Sequence, residues 1–166
     1  MQTHALEVGD LLLIKGNSMF SKVVRFATNS QYTHVCVYVG YGMVLDVDGF
    51  RTASLRPIPS SGGFELYRLK RELKHFEQDS ILVEAMSLID ETKGYDWFEA
   101  IKLFLGRLGL QIRRAGRARR HLCTELCLEL YRRIGFDIVI ESLEPERLAH
   151  HDTFRRIFPH VFEEMV

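Results

Sequence analysis

The hydrophobic period changes once along this chain, and that change sets the fold class. Up to about residue 69, apolar residues come in short runs broken by turn formers; from about Glu72 they recur at helical spacing. Leu11–Ile14, after Gly9-Asp10, predicts a short buried strand. Val35–Val39 is a β-branched run, Gly40-Tyr41-Gly42 is a turn, and Met43–Val47 is the expected return strand. A third strand is expected from Gly49 through Leu55, and the alternation of Phe64–Leu69 predicts another. Between the first two strands, Asn17 or Ser18 offers an N-cap, with Phe20, Val23, Val24 and Ala27 at helical spacing. Strands in front and helices behind argue an α+β fold. A length of 166 residues suits one domain over the whole chain, 1–166.

In the helical half, Phe76, Ile81, Leu82, Ala85, Leu88 and Ile89 predict a helix from about Glu72 that closes at Gly94. Trp97–Leu105 predicts a second. Leu122–Ile134 predicts the most sharply patterned one. Cys123, Leu126, Cys127, Leu130, Tyr131 and Ile134 form one apolar stripe, with Glu125, Glu129, Arg132 and Arg133 off it and Gly135 as the C-cap. From Pro145 onward the chain is expected to be irregular with helical pieces.

The charges balance, 22 basic against 22 acidic, which argues against a general nucleic-acid or anionic-membrane binder. The balance is a cancellation. Residues 106–121 hold six arginines and no acid, in a stretch expected to be a basic loop leading into Cys123. It reads either as a solvated loop or as an arm that stabilises a thiolate or draws in a carboxylate or phospholipid headgroup. The N-terminus has no basic start with an apolar run, and no segment approaches the roughly 20 apolar residues of a membrane span. The expectation is a cytoplasmic protein with no integral membrane segment. Three cysteines, Cys36, Cys123 and Cys127, do not describe a disulfide framework.

Cys123 opens the striped helix. The free N–H groups and positive dipole end of a helix N-terminus favour a thiolate, which is the nucleophile; the plain alternative is a small buried hydrophobe. Cys127 lies one turn deeper and Cys36 mid-strand, so both read as packing. His34 begins a strand, where a histidine can be held in one orientation and serve as general base, or simply be solvated. Asp46, on the return strand, comes near the start of the preceding strand if the hairpin forms, and would fix the imidazole; Asp48 shares its parity and competes with it. His121-x-Cys123-x-x-x-Cys127 lacks a second cluster with zinc spacing, so no metal and no other cofactor is expected.

Taken in order, these pieces resemble the circularly permuted, papain-like cysteine hydrolases, the YiiX-like branch of the NlpC superfamily, to which lecithin retinol acyltransferase is related. The matching segments are Gly9–Leu13, Tyr32-Thr33-His34-Val35-x-Val37-Tyr38, Val44-Leu45-Asp46-x-x-Gly49, Tyr95-Asp96-Trp97, His121–Leu126 and Glu144-Pro145-x-x-Leu148-Ala149. The permutation is the most specific feature: the histidine strand precedes the cysteine helix. The resemblance implies an antiparallel sheet packed against the cysteine-bearing helix, with Cys123 as nucleophile, His34 as base and Asp46 as third polar group. Tyr32, Tyr95 and Thr124 are expected to line the substrate site. Thr stands at 33 and 124 where relatives usually carry Ser, and Asp46 where they usually carry Glu or His.

The implied activity is cleavage of an amide bond in a small peptide or amino-acid amide, through an acyl-enzyme. Two rivals remain. One is an acyltransferase or lipid-directed esterase using the same pair, which an apolar groove beside Cys123 would favour. The other is a binding module with no reactive thiol.

Overall fold

A computed structural model describes residues 6–15, 31–47, 53–59, 63–91 and 123–157. The expected helix near 17–27, the helix at 97–105, Gly94, Tyr95, Asp48 and the basic stretch 106–121 lie outside the described residues.

Six strands form one antiparallel sheet: β1 (Leu11–Ile14), β2 (His34–Gly40), β3 (Met43–Asp46), β4 (Ser54–Pro57), β5 (Phe64–Leu69) and β6 (Phe154–Ile157), in the order β4-β3-β2-β1-β5-β6. Among the described residues three helices join them: α1 (His75–Glu91), α2 (Cys123–Arg133) and α3 (Pro145–Ala149). The hairpin between β2 and β3 closes on Tyr41-Gly42, both at positive φ (55° and 70°), as the primed two-residue turns demand. The α+β class expected from the change of period is therefore observed.

Three boundaries differ from expectation. The third strand runs Ser54–Pro57 rather than ending at Leu55; Pro57 is tolerated because it ends the edge strand β4, where one ladder donor fewer costs little. Helix α1 starts at His75, not Glu72, because the Glu77 carboxylate turns back to accept the Lys74 N–H at 2.7 Å and both Arg71 guanidinium nitrogens at 2.7 and 3.1 Å, which sets the first turn. The C-terminal segment holds a strand: Phe154–Ile157 pairs with β5 and supplies the second edge of the sheet. Phe154 and Ile157 are its only apolar residues, so the local pattern carries no clear strand signal.

The main core lies between the helices and one sheet face. Leu11, Leu13, Val35, Val37, Val39, Leu45, Tyr67 and Leu69 meet Ile81, Ala85 and Leu88 of α1 and Cys123, Leu126, Cys127, Leu130 and Tyr131 of α2. A smaller cluster of Leu12, Cys36, Val44, Leu66 and Ile157 follows the opposite strand parity.

Helix α2 is pinned at both ends. At its C-terminus, Gly135 takes φ +91° while its N–H donates to Arg132 O (3.1 Å) and the Phe136 N–H to Tyr131 O (2.8 Å), the pair of bonds that stops a helix with a left-handed residue. Tyr131 Oη donates to Gly9 O at 2.6 Å, tying that end of α2 to the start of β1. Gly9 itself has φ +90°, and a Cβ there would approach Leu73 Cδ1 at 2.6 Å. The adjoining Asp10 is buried and receives a two-pronged ion pair from Arg68, at 2.7 and 2.8 Å, which fastens β1 to β5. With its C-terminus fixed there, α2 runs back along β2 and delivers Cys123 toward the other end of the sheet, where β2 begins.

Candidate active site

Cys123, His34 and Asp46 meet at that end. The hairpin places Asp46 beside the start of β2, and Asp46 Oδ1 hydrogen-bonds His34 Nε2. The expected approach of Asp46 to the histidine is thus observed; its competitor Asp48 lies outside the described residues. With Nε2 engaged, Nδ1 is the ring nitrogen left for the thiol, and the His34 ring and Cys123 interact both as charges and by a hydrogen-bonding approach. All three side chains are largely shielded from water.

Burial alone would push Cys123 toward the neutral thiol. The positive charge and hydrogen bond of His34 and a backbone hydrogen bond from Val35 overcome it, so its pKa falls below the ordinary 9.0. Burial would likewise push His34 toward the neutral ring. The thiolate charge of Cys123 and the Asp46 hydrogen bond reverse this, and its pKa stands well above 6.5. Asp46 is raised by burial, but the His34 hydrogen bond and charge, and then Arg56, bring it below its usual value. Each member therefore favours a thiolate–imidazolium–carboxylate arrangement.

The other cysteines behave oppositely. Cys127 is buried one turn along α2, its Sγ 3.9 Å from Val35 O, and burial followed by the nearby Cys123 pushes its pKa well up. Cys36 sits in the smaller cluster, and burial pushes it up too. All three thiols are free.

Arg56 is a site residue that sequence reasoning did not single out. Its Nη1 lies 3.3 Å from Asp46 Oδ2, and its Nε donates to Ser54 Oγ at 3.1 Å. The signal was the register of the third strand, which pairs Asp46 with Ser54 and brings Arg56 onto the diagonal. Thr124, next to the nucleophile candidate, is fully buried; its hydroxyl helps lower the Cys123 pKa as a nearby dipole but makes no hydrogen bond of ordinary geometry. Tyr32 is buried two residues before His34, with its hydroxyl on Glu65 and Tyr67 rather than on the triad candidates. Tyr95 lies outside the described residues. Among the described residues, no group of three or more His, Cys, Asp or Glu side chains is disposed to hold a metal ion. Among them, too, no helix is long and apolar enough to cross a membrane.

No family model and no curated protein matches this chain. Solved structures do. The crystal structure of the metalloprotein YiiX from Escherichia coli O157:H7 superposes with a TM-score of 0.67 at 14% identity, over 92% of this chain and 97% of that one. The likeness is one of fold. It extends over nearly the full length of both chains and agrees with the papain-like α+β layout expected from the sequence: a cysteine-bearing helix on an antiparallel sheet, in the permuted order.

Proposed function

We propose that this protein is a cysteine hydrolase that cleaves an amide bond through Cys123, His34 and Asp46. The observation that carries the reading is the convergence of Cys123, at the start of α2, with a His34 ring held by the Asp46 carboxylate; the lowered thiol pKa and raised imidazole pKa agree with it. A buried structural cysteine does the reverse, as Cys127 and Cys36 do.

His34 Nδ1 takes the Cys123 proton, and the thiolate adds to the substrate carbonyl. The oxyanion accepts from the Cys123 backbone N–H in the first turn of α2, where N–H groups have no partner within the helix. Collapse expels the amine, which takes the proton from His34, and leaves an acyl group on Cys123. Water, deprotonated by His34, adds to that thioester. The second collapse releases the acid and restores the thiol–imidazole pair. Asp46 keeps the ring in one tautomer and stabilises its positive form, and Arg56 keeps Asp46 ionised. Each step uses side chains and backbone of this chain, together with water.

A lipid-directed esterase is the chief rival, and it calls for an apolar acyl groove. Around Tyr32, two residues before His34, the side chains are charged: Lys15, Glu65 and Arg156. That favours a polar, peptide-like substrate.

The test is labelling by iodoacetamide at neutral pH, followed by turnover of N-acyl peptide amides of a fluorogenic amine against a medium-chain acyl ester. Cys123→Ala should abolish labelling and lower kcat by at least about 10³-fold, while Cys127→Ala keeps both. Labelling lost only in Cys127→Ala, or ester turnover without amide turnover, would overturn the reading.

A further inference from the structure

Asp10, Asp46, Glu77, Glu144 and Thr124 are the buried polar and charged side chains of the described residues outside the cysteines and tyrosines. The four acids are answered: Asp10 by Arg68, Asp46 by His34, Glu77 by Arg71 and Glu144 by Ser142. Thr124 is not. Its Oγ1 is the one buried side-chain oxygen or nitrogen among the described residues with no hydrogen-bond partner. An unpaired buried hydroxyl destabilises a fold, so it marks either strain or a partner that comes and goes.

The place of Thr124 in α2 explains the unpaired state. A helical threonine commonly donates to the carbonyl three or four residues back. Thr124 is the second residue of α2, so no carbonyl of that helix stands at those positions. The residue before it is Cys123, and the hydroxyl lies near enough to the sulfur to stabilise a charge there. Full burial keeps the same hydroxyl away from a bound substrate. On the other side of the sulfur, His34 and the Val35 backbone approach from β2. A thiol sulfur is a weak acceptor, whereas a thiolate is a strong one that takes several donors at once. Ionisation of Cys123 therefore creates the acceptor that the hydroxyl lacks.

We infer that the Thr124 hydroxyl is held for the Cys123 thiolate: when the thiol proton passes to His34 Nδ1, the hydroxyl keeps its own proton and turns it toward Sγ. Thr124 is then a catalytic residue that meets the sulfur from α2 while the imidazole meets it from β2. Its place is the resting ion pair and the thiolate expelled when the acyl group leaves, since a thioester sulfur accepts poorly. The ionisable groups around that sulfur are His34 and Cys36 of β2, Asp46 of β3 with Arg56 of β4 behind it, and Cys127 of α2. Burial keeps Cys36 and Cys127 as neutral thiols, so the acid limb of alkylation reports Cys123. This inference rests on the Cys123 reading above.

The experiment is a pH-rate series of iodoacetamide alkylation, read by mass on the Cys123 peptide of the full chain, in the parent, Thr124→Val and Thr124→Ser. Valine keeps the shape and removes the donor. Its acid limb should move up by about one pH unit, slowing alkylation about tenfold below the limb. The limiting rate above the limb should hold or rise up to about threefold, because a more basic thiolate is more nucleophilic. Thr124→Ser should return the limb close to the parent's. Urea midpoints separate this from a structural role. The native thiol pKa is lowered, so the bond adds stability only as pH rises through the limb. Below it, Thr124→Val should be at least as stable as the parent, and above it that advantage should shrink. An acid limb unmoved in Thr124→Val overturns this inference and leaves the cysteine hydrolase reading standing. A Thr124→Val midpoint below the parent's at acid pH assigns the hydroxyl a structural partner and overturns it as well. A Cys123 inert to iodoacetamide in the parent overturns both.

Discussion

At the scale of single residues, the pKa directions give the pH dependence its sign. Cys123 must be ionised and His34 protonated, so reactivity rises as pH climbs through the lowered thiol pKa and falls as it passes the raised imidazole pKa. In Asp46→Asn the imidazolium loses its carboxylate, the His34 pKa drops, and the alkaline limb of the alkylation rate should move to lower pH. In His34→Asn the thiol loses its positive neighbour while its burial remains, so its pKa should rise above 9.0 and labelling at neutral pH should slow by at least about tenfold. A pH-rate series with iodoacetamide reads both, and an alkaline limb unmoved in Asp46→Asn would mean that Asp46 does not govern the ring. Asp46 was legible in the sequence because a two-residue hairpin is local, and its turn and parity carry the acid to the histidine. Arg56 was not, because the longer connection between Asp46 and Ser54 leaves open which residue of the next strand stands opposite the acid. The charged cluster around Tyr32 was hidden for a stronger reason: Lys15, Glu65 and Arg156 come from parts of the chain that neighbour one another only in the finished sheet.

At the scale of elements, α2 matters most, since its position decides where the thiol stands. Its stripe was readable from spacing alone, and each stripe residue from Cys123 to Ile134 is buried. Leu130, fully buried near the middle, should cost about 2–5 kcal/mol as Leu130→Ala. Gly135→Ala should cost about 1 kcal/mol, because nothing crowds a Cβ there and only the left-handed backbone resists it. Gly9→Ala adds a clash with Leu73 to the same backbone strain and should cost more than Gly135→Ala. Urea unfolding of the three variants checks the order; a Gly9→Ala as mild as Gly135→Ala would show that Leu73 yields freely. Helix α1 begins three residues later than its apolar period suggests because Glu77, rather than a Ser or Thr N-cap, sets the first turn. Apolar periodicity does not report such a carboxylate.

At the scale of the whole molecule, the sheet is completed by a strand distant in sequence from the other five. β6 covers β5 and contributes Phe154 to the main core and Ile157 to the smaller one. A chain truncated after His151 loses that edge, exposes the β5 backbone donors and acceptors, and should associate more than the full chain in size-exclusion chromatography. The same arrangement orders events during synthesis. The base candidate at 34 and its acid at 46 leave the ribosome long before the thiol at 123, and β6 follows the thiol. A growing chain therefore holds a histidine and a carboxylate with no nucleophile beside them until α2 has been made. Reactivity can first arise when α2 docks, and the sheet gains its last edge only after β6 has joined it.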